Sequence, residues 1–421
     1  MHRTLAALVL IALFTGGAFA QSREEAELSP LASRLLVKFD ASMSEAEQER
    51  VAREFGAEVE QLGPYADFVL LRFATAPSPE EIERLAYTRG VVFAERETRY
   101  RTATAAMPLQ FDDPLQPLQW AHRMINIRAA HDMNFGSDPG VTVAVLDTGI
   151  AYLATDRFPQ APDLAGTIVL TGYDFVSDDV LALDEGDGLL GHGTFLAGVI
   201  AQSTHNGRGT AGIAFNASLM PVRIADRRGV ARASNLARGI RFAVAGGASL
   251  VVLGVAGPDP SRAVEDALKF AYNSGVPVIA PAGNSEVVLY PARHPEVLSV
   301  GAVDAAGERA YYSPADGPID IYAPGGDMRP EVDADADGLP DGVIAESFLG
   351  REYRQLGPVM MEGTSAAAAH VAGAAALLLS QIGPLPPERL YKAIRSSARK
   401  LGDLSVVDAA RLLFRASKIA R

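Results

Sequence analysis

Val141-Thr142-Val143-Ala144-Val145-Leu146-Asp147-Thr148-Gly149 decides the fold, because an unbroken apolar run that ends on a carboxylate is typical of a strand buried on both faces. Similar apolar runs follow and alternate with helical patterns. The predicted strands are residues 141–146, 168–170, 219–223, 250–253, 276–280 and 298–303, and the helices include residues 234–245 and 262–274. This alternation predicts an α/β fold with a mostly parallel, doubly wound sheet. Active sites in such sheets lie at the carboxyl ends of the strands.

A separate pattern of strands and helices precedes this region, between residues 31 and 100. Strands are predicted at 35–39, 57–59, 68–73 and 91–94, and helices begin near Ser44 and Pro79. The order strand-helix-strand, strand-helix-strand predicts a small α+β domain of the ferredoxin type. Residues 101–118 contain three prolines, which indicates a linker between two folded units.

The first twenty residues have the pattern of an export signal. His2 and Arg3 precede an apolar run over residues 5–14, and small residues end the segment at Ala18-Phe19-Ala20. The apolar run is shorter than the roughly 20 residues that span a bilayer, so we expect cleavage after Ala20 and no stable membrane anchor. The sequence therefore predicts a secreted or periplasmic protein.

The composition of the chain excludes several classes of function. Its 421 residues carry 38 Lys and Arg against 51 Asp and Glu, and the net charge of −13 argues against a nucleic acid partner. Cysteine is absent, which excludes disulfides, thiolate catalysis and cysteine-ligated metals. Hydrophobic residues make up 48% of the chain, which is enough to bury a large core. We therefore expect a folded protein whose chemistry depends on other side chains.

Three short motifs carry side chains of complementary chemistry. Asp147 ends the first strand, His192 follows Gly191 at the start of a helix of small residues, and Ser365 lies in Gly363-Thr364-Ser365-Ala366 at the start of another helix. Taken singly, the aspartate could cap a turn and the serine could cap a helix. Together they supply the nucleophile, the base and the orienting carboxylate that make a serine hydroxyl reactive at neutral pH.

The order Asp, His, Ser along the chain is that of subtilisin, whereas α/β-hydrolases and chymotrypsin-like enzymes use other orders. On these three motifs, residues 112–410 resemble the subtilisin-like serine proteases, and residues 31–103 resemble the propeptide domain of that family. The resemblance implies a propeptide at residues 21–103 that inhibits a catalytic domain at residues 104–421, and self-cleavage near Ala103.

The activity that the resemblance implies is that of a serine endopeptidase, made as a zymogen, that hydrolyses polypeptides through an acyl-enzyme. Asp147, His192 and Ser365 would form its catalytic triad. The alternative is a non-catalytic binding protein that retains the same scaffold. An altered wall of the substrate pocket motivates this alternative.

The resemblance also implies residues that contact the substrate. Asn284 follows a predicted strand and matches the asparagine that stabilises the oxyanion in this family. Gly229-Val230-Ala231 resembles the edge strand that pairs with the substrate backbone. Gly254 stands where most relatives have serine in the pocket wall, and Leu289 stands where a small residue is common at the pocket base. A bulky base shortens the pocket, so we expect a preference for Ala or another small residue before the scissile bond.

Residues 333–342 form an acidic loop within the catalytic domain. Its carboxylates alternate with other residues, and Gly338 at the sixth position permits a sharp turn, which is a pattern typical of calcium loops. The predicted ligands of a structural Ca²⁺ are Asp333, Asp335, Asp337, Asp341 and the carbonyl of Leu339. A solvated acidic loop without a metal is the alternative.

A second acidic stretch lies just before His192. Its members are irregularly spaced, which favours a solvated loop over a binding site. They are Asp174, Asp178, Asp179, Asp184, Glu185 and Asp187.

Overall fold

The computed structural model describes residues 33–61, 68–96, 112–185, 191–349 and 355–416. The chain divides into two compact units, Met1–Ala106 and Met107–Arg421. The predicted signal peptide at residues 1–20 and the predicted cleavage region near Ala103 lie outside the described residues. Each unit has a hydrophobic core of its own.

The N-terminal unit is a four-stranded antiparallel sheet with two helices. Its elements are β1 (Arg34–Phe39), α1 (Glu45–Glu54), β2 (Ala57–Glu60), β3 (Val69–Phe73), α2 (Pro79–Ala86) and β4 (Val91–Arg96). The strands lie in the order β2-β3-β1-β4. Both helices begin with a capping box, formed by Ser44 and Ser78 with the third residue of each helix. The predicted α+β unit is therefore confirmed.

The larger unit is built on a nine-stranded sheet and a separate hairpin. The sheet strands are β5 (Thr142–Asp147), β6 (Tyr173–Asp174), β7 (Ser218–Arg223), β8 (Leu250–Leu253), β9 (Val278–Pro281), β10 (Val297–Val303), β11 (Ile321–Pro324), β14 (Arg399–Leu401) and β15 (Leu404–Val406). The hairpin is β12 (Val343–Phe348) with β13 (Leu356–Met361). The sheet order is β14-β15-β11-β10-β9-β8-β5-β7-β6, and its neighbours are parallel except β14 with β15.

Helices cover both faces of this sheet. They are α3 (Trp120–Met124), α4 (Ile127–His131), α5 (His192–Ala201), α6 (Ala233–Ala245), α7 (Arg262–Asn273), α8 (Thr364–Ile382), α9 (Pro387–Ser397) and α10 (Ala409–Phe414). Val143 and Val145 of β5 belong to one core cluster with α5 and α8, whereas Ala144 and Leu146 belong to the other with α6 and α7. Successive side chains of a strand face opposite sides, so β5 is buried on both faces. The predicted doubly wound, mostly parallel sheet is confirmed.

The register of the central strands positions the candidate site. Strand β5 lies between β7 and β8, with Leu146 opposite Leu253. The next residue of each strand, Asp147 and Gly254, therefore emerges side by side at the carboxyl edge. Asn284 follows β9, which is the next strand beyond β8.

Helix α8 is the one helix in the described part of the chain that is long and apolar enough to cross a membrane. It has 19 residues, and 78% of its most apolar window is buried within the protein. Its neighbours in the core include α5, β9 and β10. This burial is what a core helix shows, and by length and composition alone a membrane span would look the same.

Two parts of the larger unit differ from the sequence prediction. Residues 168–170 form only an isolated bridge, Val169 with Leu219, because Ile168 and Leu170 lie exposed at the sheet edge. The edge strand is instead β6. The hairpin of β12 and β13 and strand β11 were not predicted. The hairpin lies outside the main sheet and lacks the long apolar run that marks a central strand, and β11 has only four residues.

Candidate active site

Asp147 is the last residue of the central strand β5 and is 1% exposed. Its Oδ1 accepts a hydrogen bond from the backbone N–H of Thr148 at 2.6 Å. A Cβ atom added to Gly254, which follows β8, would lie 1.5 Å from Asp147 Oδ2. Glycine at position 254 therefore makes room for the carboxylate in its present orientation.

His192 begins helix α5 after Gly191, whose φ of +70° lies in the left-handed region that glycine adopts at little cost. Its Nδ1 lies 2.8 Å from Oδ2 and 3.0 Å from Oδ1 of Asp147. Burial disfavours the imidazolium, but the charge and hydrogen bond of Asp147 and a smaller effect of Asp184 outweigh it and raise the pKa of His192. Because Nδ1 is engaged, Nε2 is the ring nitrogen available for proton transfer.

Ser365 is the second residue of α8 and is half-buried. Its Oγ donates a hydrogen bond to the carbonyl of Gly254 at 3.3 Å. Within the described residues, Ser365 forms no hydrogen bond with His192. Asp147 and His192 are therefore paired. The hydroxyl of Ser365 instead contacts Gly254, the glycine that lies against the Asp147 carboxylate. Catalytic hydrogen bonds are often long or poorly aligned in the absence of substrate and tighten when it binds.

Asn284 follows β9, and its side-chain amide has a fixed orientation. Its Oδ1 accepts hydrogen bonds from the backbone N–H of Thr364 at 3.0 Å and from Thr364 Oγ1 at 2.9 Å. An N–H cannot accept from another N–H, so Oδ1 must face Thr364 and Nδ2 must face the other way. Gly363 has a φ of +151°, and a Cβ there would lie 3.2 Å from Asn284 Nδ2. The amide donor is therefore held beside the start of α8.

All five predicted substrate-binding residues line one cleft of about 560 Å³. Ser365 and Asn284 line it as well. The five are Gly229, Val230, Ala231, Gly254 and Leu289. A second cleft of about 420 Å³ contains Asp147, His192 and Asn284. Gly229, Gly254 and Asn284 line both clefts, which therefore meet at the candidate catalytic centre.

Residues 226–229 form a turn, and the predicted edge residues 229–231 belong to no assigned strand. Gly229 has a φ of +75°. The N–H of Val230 donates to Asp226 Oδ1 at 3.0 Å, and the carbonyl of Val230 accepts from the N–H of Asp226 at 3.1 Å. Ala231 forms an isolated bridge with Ala225. The left-handed glycine closes the turn, and pairing of these residues with a substrate backbone stays a prediction.

Leu289 lines the same cleft as Asn284. A Cβ atom added to Gly283 would lie 2.7 Å from Leu289 Cδ1, so the leucine side chain packs directly on this glycine. The backbone N–H of Leu289 donates to Ala282 at 2.8 Å. The leucine therefore occupies space next to the candidate oxyanion donor, where a smaller side chain would leave a deeper pocket.

The acidic loop brings together three of the predicted calcium ligands. Asp333, Asp335 and Asp341 each offer a carboxylate oxygen, and these oxygens lie within 4.8 Å of one another. Asp341 Oδ1 is buried without a hydrogen-bond partner, while its Oδ2 accepts from Ala334 at 2.8 Å. Burial, with the charges of Asp335 and Asp333, raises the pKa of Asp341. A bound cation would satisfy the orphaned oxygen, so the three carboxylates fit Ca²⁺.

Asp337 is not part of this group of carboxylates, and the carbonyl of Leu339 as a ligand stays a prediction. Asp337 Oδ1 accepts a hydrogen bond from the backbone N–H of Leu339 at 2.8 Å, which closes a local turn. Leu339 itself is 39% exposed. Asp337 therefore stabilises the turn, whereas Asp333, Asp335 and Asp341 converge.

A further acidic cluster was not foreseen from the sequence. Asp112, Asp113 and His205 place potential ligand atoms within 4.8 Å of one another. Asp113 accepts hydrogen bonds from the backbone N–H groups of His205 and Asn206. These residues are 92 positions apart, so no local spacing could have indicated the cluster.

The predicted solvated loop before His192 is in fact partly buried. Asp174 and Asp184 are only 1% and 2% exposed, whereas Asp178 is exposed, and Asp187 lies outside the described residues. The prediction is wrong for the two buried carboxylates, because each has partners distant in sequence. Asp174 pairs with Arg223 at 2.9 Å, and Asp184 accepts hydrogen bonds from Thr194.

Comparison with known proteins supports the same interpretation. Residues 138–410 match the model of the Subtilase family. The thermophilic serine proteinase of Bacillus sp. (strain AK1) is 36% identical over 254 residues, which are 60% of this chain and 55% of that protein. Subtilisin Savinase of Lederbergia lenta is 31% identical over 293 residues, which are 69% of this chain and 95% of that protein.

A solved structure of a protease from Pseudoalteromonas arctica is also similar. It superposes with a TM-score of 0.65 at 30% identity, and the match covers 73% of this chain and 100% of that one. The family model covers well over half of this chain and includes all of the predicted catalytic positions. The chain therefore belongs to the Subtilase family, and it is a subtilisin-like serine endopeptidase.

Proposed function

We propose that this protein is a secreted endopeptidase, made as a zymogen, that hydrolyses polypeptides with Asp147, His192 and Ser365. The observation that carries the proposal is the 2.8 Å contact between His192 Nδ1 and Asp147 Oδ2 in a cleft that adjoins Ser365. An imidazole held by a buried carboxylate has the correct tautomer to accept a proton at Nε2. Membership of the family supports the same assignment.

In the first half of the reaction, Ser365 Oγ attacks the carbonyl carbon of the scissile bond and its proton passes to His192 Nε2. The carbonyl oxygen becomes negative, and Asn284 Nδ2 with the backbone N–H of Ser365 would donate to it. When the tetrahedral intermediate collapses, the carbon–nitrogen bond breaks and His192 gives its proton to the leaving amine. The acyl group remains on Ser365.

In the second half, water attacks the acyl carbon and gives a proton to the same histidine nitrogen. Collapse returns the proton to Ser365 Oγ and releases the new carboxyl terminus. Asp147 stays ionised throughout and stabilises the imidazolium formed in each half. The raised pKa of His192 fits this role, because the charged ring is favoured at the moment it forms.

The propeptide and the export signal complete the proposal. The unit containing β1–β4 would assist folding and block the cleft until self-cleavage near Ala103, and residues 1–20 would direct the chain out of the cytoplasm. Without Ser365 no self-cleavage is possible, so a Ser365→Ala chain should keep its N-terminal unit. Mass spectrometry of the exported wild-type and variant proteins would locate both cleavage bonds. The wild type should begin near residue 104 and the variant near residue 21.

Calcium would be a structural cofactor in this proposal. Asp333, Asp335 and Asp341 would hold it, and the partnerless oxygen of Asp341 supports this. The ion would supply positive charge among three converging carboxylates. Asp335 already has one cationic neighbour, since Arg123 lies 2.6 Å from its Oδ2.

The substrate would carry a small residue before the scissile bond. Leu289 packs on Gly283 at the base of the cleft, and Gly254 forms part of its wall. The resemblance to the family places both residues in the primary pocket.

An activity probe tests the catalytic proposal directly. A fluorophosphonate should label the wild-type protein at Ser365 and should not label the Ser365→Ala variant. Ser261 lines the same cleft, so Ser261→Ala is the matched control and should be labelled like the wild type. Labelling that persists in Ser365→Ala would reject the assigned nucleophile.

The second candidate function is a binding protein on the subtilisin scaffold. The observation in its favour is that the Ser365 hydroxyl donates to Gly254 and not to His192. A binding protein would show no labelling in either protein and would retain the N-terminal unit. Hydrolysis of a casein substrate by the wild type, lost in Ser365→Ala, would exclude it.

A further inference from the structure

Asp184 is a buried carboxylate beside the catalytic pair. It is 2% exposed and lies in the loop between β6 and α5. One of its oxygens, Oδ2, accepts hydrogen bonds from Thr148 Oγ1 at 3.1 Å, Thr194 Oγ1 at 2.9 Å and the backbone N–H of Thr194 at 3.1 Å. A buried carboxylate with this many donors is held in one orientation.

These bonds replace the missing cap of helix α5. Gly191 is the N-cap residue and has no side chain to satisfy the first N–H groups. The N–H of Gly193 donates to Thr148 Oγ1 at 2.9 Å, and the N–H of Thr194 donates to Asp184. Thr148 and Asp184 therefore cap the helix from outside, and His192 is the first residue of that helix.

The same bonds reach the catalytic carboxylate. Thr148 directly follows Asp147, and its N–H donates to Asp147 Oδ1. Thr148 therefore makes three contacts. Its N–H donates to Asp147, its Oγ1 accepts from the N–H of Gly193 at the start of α5, and its hydroxyl proton is donated to Asp184. These bonds join the residue after Asp147 to the start of the helix that carries His192.

Several charged groups surround His192. Asp147 comes from β5 and contacts the ring directly, and Asp184 comes from the loop before α5. Glu362, which precedes α8, lines the same cleft as His192. Glu185 forms an ion pair with Arg223 of β7, with 3.0 Å between Arg223 Nη2 and Glu185 Oε2. Asp184 is therefore the second carboxylate that acts on the imidazole from within the protein.

We propose that Asp184 is a positioning residue for catalysis, which fixes His192 against Asp147 through Thr148 and Thr194 and adds a second negative charge that favours the imidazolium. This inference rests on the proposed function. The N-terminus of a helix disfavours a positive ring through its dipole. A carboxylate that caps this helix end offsets that effect at the residue that must carry the charge.

The first test is the Asp184→Asn variant, which keeps the shape and removes the charge. The pKa of His192 read from the pH profile of kcat/KM should fall by about 1 unit. The limiting kcat should fall roughly 10-fold with KM changed less than about twofold, because the effect is on the transition state. Asp174→Asn is the matched control, since Asp174 is equally buried in the same segment but pairs with Arg223. An unshifted profile, or a kcat loss of the same size in the control, would refute the proposal.

A second pair of variants distinguishes the effect of Asp184 on the position of His192 from the effect of its negative charge. Thr148→Val removes the hydroxyl but leaves both carboxylates, so kcat should fall while the pH midpoint stays in place. Thr148→Ser restores the hydroxyl and should restore kcat. If Thr148→Val leaves kcat unchanged, the positioning role is wrong.

A measurement without catalysis distinguishes failure of this inference from failure of the proposed function. Histidine NMR titration of the full chain carrying Ser365→Ala, with and without Asp184→Asn, reports the pKa of His192 directly. His192→Ala identifies its signal among the seven histidines. A lower pKa in the Asp184→Asn chain supports the charge effect even if no hydrolysis is ever found, and an equal pKa rejects it even if the enzyme is active.

Discussion

Gly254 lies against the carboxylate of Asp147 so closely that a Cβ at position 254 would be 1.5 Å from Asp147 Oδ2. We expect Gly254→Ala to displace this carboxylate from His192 and to lower kcat by about 10- to 100-fold, because sub-ångström shifts of catalytic groups are costly. Gly257→Ala is the matched control, since Gly257 lines the same cleft and a Cβ there meets nothing within 4 Å. Steady-state kinetics on a peptide anilide would measure both. Equal kcat values in Gly254→Ala and the wild type would contradict the packing argument.

Leu289 should control the size of the residue accepted before the scissile bond. Leu289→Gly opens the base of the cleft, and kcat/KM for substrates with Phe at that position should rise by about 10- to 100-fold, which is within the range for a single methylene group in a hydrophobic pocket. Substrates with Ala there should change little. Val287→Ala, an exposed neighbour, is the control. A peptide library would show the outcome, and efficient cleavage after Phe or Leu by the unmodified enzyme would overturn the prediction.

Asn284 should act on the transition state and not on substrate binding. Asn284→Ala is expected to lower kcat by about 10²–10³ with little change in KM, which is the effect that an oxyanion donor has in subtilisin itself. Thr364→Val removes the hydroxyl that donates to Asn284 Oδ1 and should cause a smaller loss of the same kind. A rise in KM at constant kcat in Asn284→Ala would assign this side chain to ground-state binding instead.

Calcium should stabilise the catalytic domain through Asp341. In the Ser365→Ala chain, which cannot digest itself, saturating Ca²⁺ should raise the thermal midpoint by about 5 °C relative to a chelator, as a ligand at ~100 times its Kd would. Asp341→Asn should remove part of this shift, and Asp337→Asn should keep it. The cluster at Asp112 would also respond to a chelator, so the comparison of the two variants is decisive. Identical shifts in both would argue against a site at Asp341.

Acid should destabilise the protein through its buried histidines. Burial lowers the pKa of His131 and of His370 to about 4. Between pH 6.5 and 4 the unfolded state binds protons at these two histidines that the native state does not, so their contribution to the free energy of unfolding falls as the pH drops, by about 2 kcal/mol per histidine at pH 5. Urea unfolding of the Ser365→Ala chain at several pH values would measure the slope.

A histidine variant provides the control for this slope. His131 lies between aromatic rings, including that of Phe215 at 5.4 Å, so His131→Phe should fit there while removing one titrating group. The variant loses the hydrogen bond of His131 to Ile213 and is expected to be less stable at pH 7. Its free energy of unfolding should nevertheless depend less steeply on pH. An equally steep slope would mean that other groups cause the acid sensitivity.

Much of the fold could be predicted from local patterns. The strand at residues 250–253 matches β8, and the helix at residues 262–274 differs from α7 only at its last residue, because continuous apolar runs and helical periodicity are properties of short segments. The short strand β6 and the hairpin of β12 and β13 were missed. Their pairing depends on neighbours brought by the rest of the fold and not on their own composition.

The site, like the fold, could be predicted from the sequence only in part. Residue types and their order indicated Asp147, His192 and Ser365, but nothing near Asp184 marked it as buried, and its spacing favoured a solvated loop. Its partners Thr148 and Thr194 lie 36 and 10 residues away in the chain. In the calcium loop the sequence predicted a ligand role for Asp337 from its regular spacing. In the structure, the Asp337 carboxylate instead accepts a hydrogen bond from the N–H of Leu339.

The sequence by itself determined the class of the fold, the family and the types of side chain available for chemistry, because these depend on periodicity and on motifs a few residues long. Only the tertiary structure decided which carboxylates are buried beside His192, where the Ser365 hydroxyl donates its proton and which acids of the loop converge. Those properties depend on distances between segments that are far apart in the chain, and these distances are set by the packing of the sheet and its helices.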